Sequence, residues 1–165
     1  MRILGIDPGF AIVGWGLVAY EKNRFATLGY GAITTPAHTD FNGRLAEIYR
    51  DMTALLAKAA PDALSVEKLY FNTNTTTAIQ VAEARGVILL AAYQAGVPIF
   101  EYTPLQVKSA VTGYGRAEKT QIQEMTRVLL RLESVPKPDD TADALALAVC
   151  HAYAAGSPLH PTGKE

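Results

Sequence analysis

RILGIDPG, at residues 2–9, is the stretch that decides the fold. Its apolar part, residues 2–6, meets an aspartate, Asp7, and a Pro-Gly turn, and apolar residues resume over residues 12–18. This pattern predicts two antiparallel strands joined by a wide turn, with Asp7 directly after the first strand. A third strand is predicted over residues 25–34.

Helices and strands alternate after this hairpin. Apolar residues spaced by three and four predict helices, and short apolar runs beside proline or glycine predict strands. The predicted elements are, in order, a helix containing residues 45–56 that stops at Pro61, a strand over 63–66, a helix between 72 and 96, a strand over 97–102, a short helix opened by Thr103 and Pro104, a helix containing 122–132 and a last helix over 140–155. This order predicts an α/β fold, a mixed sheet covered by helices.

Composition bounds the number of domains. The chain has 165 residues, of which 49% are hydrophobic and 19% charged, and this suits one globular domain. We expect that domain to span residues 1–156. Residues 157–165 contain proline and glycine and are expected to form a disordered C-terminal tail.

Charge and cysteine content favour a cytoplasmic protein without a membrane segment. The net charge of -1 gives no global sign of nucleic-acid binding, although basic residues can gather on a face away from an acidic site. Cys150 is the single cysteine, so no intrachain disulfide can form. The apolar residues 3–6 are too few for a membrane span or for the core of a signal peptide.

Four acidic residues stand where apolar segments end or where a helix begins. Asp7 follows the first strand and Glu67 follows the strand over residues 63–66, and a parallel pairing of these strands would bring their ends together. Asp140 and Asp143 are three residues apart at the start of the last helix, on neighbouring positions of one helical face. If that helix packs over the sheet, the four carboxylates share one pocket.

Such a pocket predicts a site for hard divalent cations. Crowded carboxylates repel one another unless they are protonated or bridged by cations, and oxygen ligands suit Mg²⁺ or Mn²⁺. Two ions about 4 Å apart can activate a water and stabilise the leaving oxygen during phosphodiester hydrolysis. The sequence therefore predicts a metal-dependent phosphodiester hydrolase in which the catalytic metal ligands are Asp7, Glu67, Asp140 and Asp143.

Each acidic residue also has a purely structural explanation. Asp7 begins good turn chemistry with the Pro-Gly pair, and Glu67 could be a solvated strand end. Asp140 and Asp143 suit a helix N-cap and favourable charge in a first helical turn. Their joint placement favours the metal site.

The same residues, in this order, resemble the RuvC family of bacterial Holliday-junction resolvases. The stretches that carry the resemblance are GIDPG at 5–9, VE at 66–67, ARGV at 84–87, EY at 101–102, QVK at 106–108, GYG at 113–115, AEK at 117–119 and DTADALA at 140–146. The resemblance implies an RNase H-like fold, with a mixed five-stranded sheet flanked by helices. It further implies a homodimer that nicks four-way DNA junctions symmetrically, with two Mg²⁺ or Mn²⁺ ions, in recombination and repair. It also suggests cooperation with the branch-migration proteins RuvA and RuvB.

The resemblance also implies DNA contacts by basic and aromatic residues. Lys108 and Lys119 match family lysines that neutralise DNA phosphates, and we assign Arg116 to DNA binding with them. Both lysines could equally be ordinary exposed side chains. Tyr70 and Phe71 lie where the family has an aromatic that meets unpaired bases, and either of them could make that contact or pack in the core.

The long helix contains small residues that permit close approach of another helix, either across a two-fold dimer seam or within the chain. These residues are Ala78, Ala82, Gly86 and Ala92.

Three rival functions are weighed against the junction nuclease. An ATPase of the actin type needs a second half and a second phosphate loop, which this chain lacks. A related nuclease for RNA hybrids or other forms of DNA is left open by the carboxylates alone. A non-catalytic DNA-binding scaffold is disfavoured, because four unneutralised carboxylates would repel DNA phosphates.

Overall fold

A computed structural model describes residues 1–69 and 75–156. The strands and helices follow the predicted order. They are β1 (Arg2–Asp7), β2 (Ile12–Glu21), β3 (Arg24–Thr34), α1 (Phe41–Ala59), β4 (Ala63–Glu67), α2 (Thr75–Gln94), β5 (Ile99–Tyr102), α3 (Pro104–Thr112), α4 (Lys119–Leu129) and α5 (Asp139–Ala155).

Strand β1 lies at the centre of a five-stranded mixed sheet with the order β3-β2-β1-β4-β5. It pairs antiparallel with β2 through the hairpin and parallel with β4, with Ile6 opposite Val66. Strand β5 continues the parallel half of the sheet. The carboxyl ends of β1, β4 and β5 therefore meet at one edge, where Asp7 and Glu67 are the last residues of their strands. The predicted mixed five-stranded sheet is confirmed.

Both faces of the sheet are covered because the side chains of each strand alternate between them. Leu4 and Ile6 of β1 pack with buried residues of α1 and α2, such as Ile48 and Ile88. On the opposite face, Ile3 packs in a cluster with buried residues of α3 and α5 and partly buried residues of α4. The result is a three-layer arrangement. Helix α5 lies on the face of the sheet to which Ile3 and Gly5, two residues apart in β1, both point.

Helix α5 approaches the sheet closely because glycines face it. A Cβ atom on Gly5 would lie 1.9 Å from the carbonyl oxygen of Ala144, and one on Gly16 would lie 2.5 Å from the side chain of Leu145. Such distances are far inside van der Waals contact, so only glycine allows the helix this position. The buried Ser65 of β4 adds a hydrogen bond from its hydroxyl to the Leu147 carbonyl, at 2.7 Å.

Several predicted boundaries and faces were wrong. The last helix begins at Asp139 with Pro138 as its N-cap residue, so the N-cap explanation of Asp140 fails. Strand β5 begins at Ile99, because the Val97 N–H turns back to the Ala92 carbonyl at the end of α2.

Two further differences concern helix faces. Helix α4 ends at Leu129, so Leu132 lies beyond it, and Met125, one of the apolar residues whose spacing predicts this helix, is exposed. Of the four small residues of α2, Ala92 is fully buried in the core, so it packs within the chain and not in an exposed seam. Gly86 is exposed and has open space beyond it, and Ala78 and Ala82 are half-buried.

Among the described residues, none of the helices is both long and apolar enough to cross a membrane. The predicted tail at residues 157–165, as well as Tyr70 and Phe71, lies outside the described residues.

Because α5 lies so close to β1, a methyl group added at Gly5 should destabilise the protein more than one added at Gly29 of β3. Gly5→Ala should lower the free energy of unfolding by about 1–3 kcal/mol or more, because the helix backbone must move away from β1. Gly29→Ala on β3 is the matched control, since its Cβ would meet the Trp15 ring at an ordinary 3.6 Å. Urea denaturation measures both, and equal stabilities of the two variants would contradict the packing described here.

Candidate metal centre

Asp7 and Glu67 reach the same side of the sheet as α5 because of strand alternation. Gly5 and Ser65 face α5, and Asp7 and Glu67 stand two residues further along their strands. The parallel pairing of β1 and β4 aligns these positions at neighbouring strand ends. The sequence thus places two carboxylates side by side beneath the start of a helix.

Helix α5 supplies Asp140 and Asp143 above those strand ends. A Cβ on Gly14 of β2 would lie 2.0 Å from the Asp140 carbonyl oxygen, so the first turn of α5 rests directly on that glycine. Thr141 donates a hydrogen bond from its hydroxyl to the Gly31 carbonyl of β3, at 3.1 Å. These contacts fix the first turn and direct the Asp143 side chain of the next turn toward the strand ends.

The electrostatic coupling of the four carboxylates is strongest at Asp7. Burial is the main cause that raises the pKa of the Asp7 carboxyl from its ordinary value of 3.8 to about 8, and the negative charges of Asp143, Asp140 and Glu67 contribute to this rise in that order. The positive charge of Lys119 opposes this shift. The other three predicted carboxylates therefore all act on Asp7, so the fold brings the four groups near one another.

Burial also raises the pKa of Glu67 and of Asp143, and in each case a lysine opposes the shift. Asp143 is the first negative charge that raises the pKa of Glu67, and Lys108 lowers it. Lys119 lowers the pKa of Asp143 through a hydrogen bond and its charge. The two lysines predicted to bind DNA thus stand at the edge of the acidic pocket.

Lys119, the first residue of α4, connects two acidic residues of α5. Its ammonium nitrogen lies 3.0 Å from Asp143 Oδ2 and 3.7 Å from Asp139 Oδ2. Asp139 also forms an ion pair with Lys137 at 2.8 Å. Sequence reasoning missed Asp139 and Lys137, although the KPDD stretch at residues 137–140 places charges of opposite sign next to the predicted metal ligands.

Two adjoining clefts meet at Glu67. One, of about 190 Å³, is lined among others by Lys108, Lys119 and Asp143. The other, of about 250 Å³, is lined among others by Asp7, Lys68 and Arg85. Glu67 and Pro104 border both clefts, so Asp7, Glu67 and Asp143 line a continuous surface that also carries basic groups.

The carboxylates surround this surface without converging on a single point. Within residues 1–69 and 75–156, no three acidic, histidine or cysteine side chains are grouped closely enough to hold one ion among them. Asp143 instead faces the Lys119 ammonium. Hard oxygen donors and an excess of buried negative charge nevertheless fit a divalent cation of the magnesium type.

The other residues predicted to bind DNA are Arg116, Tyr70 and Phe71. Arg116 is exposed in the connection between α3 and α4, three residues before Lys119. The aromatic pair Tyr70 and Phe71 follows Glu67 in sequence but lies outside the described residues.

Comparisons with known proteins agree with this fold. The family model described as "Crossover junction endodeoxyribonuclease RuvC" matches residues 3–151. A protein of that name from Desulfitobacterium hafniense is 58% identical over 153 residues, which are 93% of both chains. The structure titled "Thermus thermophilus RuvC structure" superposes with a TM-score of 0.87 at 36% identity, and covers 94% of this chain and 95% of that one. A second Thermus thermophilus structure, titled as a complex with a Holliday junction substrate, gives a TM-score of 0.85 at 34% identity with the same coverage.

The mixed sheet flanked by helices and these neighbours define the fold as RNase H-like. The class of enzyme predicted from the sequence, an endonuclease, is confirmed at the level of the family. This chain belongs to the RuvC family of crossover junction endodeoxyribonucleases.

The raised pKa of Asp7 predicts a pH-dependent cost to folding. Because its pKa is about 8 in the folded protein and 3.8 ordinarily, the folded state binds the proton more tightly, and the free energy of unfolding falls as pH rises between these values. One pKa unit corresponds to about 1.4 kcal/mol, so Asp7→Asn should be more stable than the wild type by a few kcal/mol near pH 8 and nearly equal to it at pH 4.

Urea denaturation in EDTA at several pH values measures this difference. Asp51→Asn, which changes a carboxylate on α1, is the control and should follow the wild type. A stability difference between Asp7→Asn and the wild type that does not grow with pH would contradict the coupling.

Proposed function

We propose that this chain is a metal-dependent endonuclease that resolves four-way DNA junctions by paired symmetric nicks. The observation that carries the proposal is the grouping of four carboxylates, from β1, β4 and α5, around one surface bordered by Lys108 and Lys119. A partly buried acidic cluster of this kind opposes folding, and carboxyl groups with such raised pKa values are concentrated at functional sites. The named activity of the relatives, a crossover junction endodeoxyribonuclease, supplies that reason.

Asp7, Glu67, Asp140 and Asp143 would hold two Mg²⁺ or Mn²⁺ ions. Ions bound there would supply an activated water and stabilise the oxygen that leaves the scissile phosphate. The carboxylates themselves fix the position of this chemistry, since two of them end rigid strands and the other two lie on a helix packed against glycine. Their mutual repulsion also gives the free site a strong electrostatic preference for cations.

The basic residues would orient the DNA. Lys119 and Lys108 flank Glu67 and Asp143, so a phosphate drawn to the carboxylate-bound cations would also meet an ammonium group. Arg116 would contact the backbone further along, on the exposed connection before α4. Either Tyr70 or Phe71 would meet bases at the junction centre by stacking.

A homodimer would place two such sites on opposite strands of a junction. Helix α2 carries an exposed apolar stripe that is suited to a second copy of the chain. Its side chains, Ile79, Leu90 and Tyr93, are exposed by 56%, 50% and 78%, and Gly86 lies between them in the same helical row. The glycine leaves open space into which a partner helix could pack.

The cellular setting follows from the family as part of the same proposal. We infer a cytoplasmic enzyme of homologous recombination and DNA repair that cooperates with RuvA and RuvB. We also infer that residues 1–156 form one domain, because α5 packs against strands from β1 to β5 and so links the parts of the sheet.

The proposal is tested with a labelled mobile four-way junction and a linear duplex of matching sequence, each incubated with the protein and Mg²⁺ or Mn²⁺. The wild type should place symmetric nicks in the junction alone. Asp7→Asn should lose nicking by several orders of magnitude but bind the junction as the wild type does, because it removes a metal ligand and adds no steric change.

Cleavage of both substrates would retain the nuclease and reject junction specificity. Junction binding without cleavage under either metal would instead support a non-catalytic scaffold. Nicking by Asp7→Asn at the wild-type rate would refute the assignment of the metal ligands.

The exposed stripe on α2 predicts a matched pair of variants. Leu90→Lys should convert a dimer to a monomer, because it buries a charge in the apolar contact. Leu28→Lys changes a leucine with the same exposure, 49%, on the edge strand β3 and should leave the dimer intact. Light scattering coupled to gel filtration gives both masses, and a Leu90→Lys dimer would place the interface elsewhere.

A further inference from the structure

Arg85 of α2 makes two contacts at the carboxyl ends of the parallel strands. Its Nε donates to the main-chain carbonyl of Glu67 at 3.2 Å, and its Nη2 donates to Glu101 Oε2 of β5 at 2.7 Å. The Arg85 side chain is only 13% exposed, and its bond to the Glu67 carbonyl is partly buried, whereas Glu101, at 43% exposure, receives its bond near the surface. Arg85 thus ties a helix of the opposite layer to the peptide of a proposed metal ligand.

The strand register explains why the Glu67 carbonyl needs this donor. Leu64 and Lys68 direct their N–H groups to β5, with bonds of 2.8 Å to the carbonyls of Pro98 and Tyr102. Because main-chain groups alternate between the two sides of a strand, the N–H and carbonyl of Glu67 point to β1.

The residue of β1 that would complete the ladder has no donor. With Ile6 opposite Val66, the next N–H in the parallel ladder toward the Glu67 carbonyl belongs to residue 8. That residue is Pro8, which has no N–H. A carbonyl without a partner in a partly buried position costs about 1–3 kcal/mol, so a donor from elsewhere is strongly favoured.

The contact between Arg85 and the Glu67 carbonyl also restrains the strand end from which the Glu67 side chain extends. Glu67 is the last residue of β4, and beyond it only the Lys68 N–H bond to Tyr102 continues the pairing with β5. Arg85 therefore supplies on the β1 side the restraint that the ladder provides elsewhere. Its contact is with the peptide, and the carboxylate remains free to face Asp7 and Asp143.

We propose that Arg85 is a positioning residue for the proposed metal ligand Glu67, replacing the ladder hydrogen bond that Pro8 cannot donate. The inference rests on the proposed function, because it assigns Glu67 to the metal site. Glu101 orients the guanidinium for this task through the second, charged hydrogen bond. Groups that orient metal ligands in this way affect metal affinity or activity by about 10–100-fold when they are removed.

The test begins with Arg85→Lys, which keeps the charge but replaces the rigid fork by a single flexible ammonium. The expected result is an increase of about 10-fold or more in the Mg²⁺ concentration for half-maximal junction nicking. The rise in melting temperature that Mg²⁺ gives to the free protein should shrink in parallel. Junction affinity measured in EDTA should stay within about 2-fold of the wild type, which a loss of DNA contact would not allow.

Two companion variants make the test specific. Glu101→Gln retains the shape of the second anchor and weakens its charge, so it should move the Mg²⁺ requirement in the same direction by a smaller factor. Arg50→Gln is the matched control, since Arg50 is an exposed arginine of α1 that pairs with Glu47 and Asp51. It should leave both Mg²⁺ readouts unchanged.

A double variant tests the missing ladder donor directly. Pro8→Ala restores an N–H at residue 8, so combined with Arg85→Lys it should recover a large part of the lost Mg²⁺ response. A double variant as impaired as Arg85→Lys alone would overturn the proposal, as would an unchanged Mg²⁺ requirement in both Arg85→Lys and Glu101→Gln. If Arg85→Lys does not fold, Glu101→Gln decides alone.

Failure of the proposed function is distinguishable from failure of this inference. A wild type that does not nick junctions refutes the function, whereas the Mg²⁺-dependent melting temperature still reports whether Arg85 supports cation binding at the carboxylates. A wild type that nicks, together with variants that bind Mg²⁺ as it does, overturns the positioning role alone.

Discussion

The close contact between α5 and the glycines of β1 and β2 is the constraint on which the site depends. Side chains normally separate a helix from the sheet beneath it, whereas here the helix backbone touches positions that hold no side chain. This contact lowers the first turns of α5 to the level of the strand ends. Asp140 and Asp143 can therefore share one surface with Asp7 and Glu67, although more than 70 residues separate the two pairs in sequence.

Charge is balanced around that surface by groups from several elements. Lys119 begins α4, Lys108 lies on α3 and Arg85 extends from α2 on the other side of the sheet. These cationic side chains act on different groups of the site. Lys119 and Lys108 lower the pKa of neighbouring carboxyls, and Arg85 satisfies a carbonyl at the end of β4. The acidic cluster is thus tolerated through the whole fold and not through one local contact.

The order of elements, the mixed sheet and the grouping of four carboxylates could be predicted because each depends on a local pattern. Strand alternation and a turn signal placed Asp7, and helical spacing placed Asp140 beside Asp143. What local patterns could not reveal depends on pairing across the chain. The role of Arg85 requires the β1–β4 register, and the Lys119–Asp139 contact requires the packing of α4 on α5. Likewise the sequence left open whether Ala92 faces a dimer seam or the core of the chain, because α2 is apolar nearly all round, which hides its buried side.

The raised pKa of Asp7 has an evolutionary consequence. A carboxyl group that opposes folding at neutral pH is retained when selection favours its function. Without that selection, replacement by a neutral side chain would stabilise the fold. Descendants released from that selection should lose this residue early while they retain the glycines under α5, whose loss harms folding itself. Among proteins that share this architecture, the identity of residue 7 would then distinguish lineages that retain the activity from lineages that have lost it.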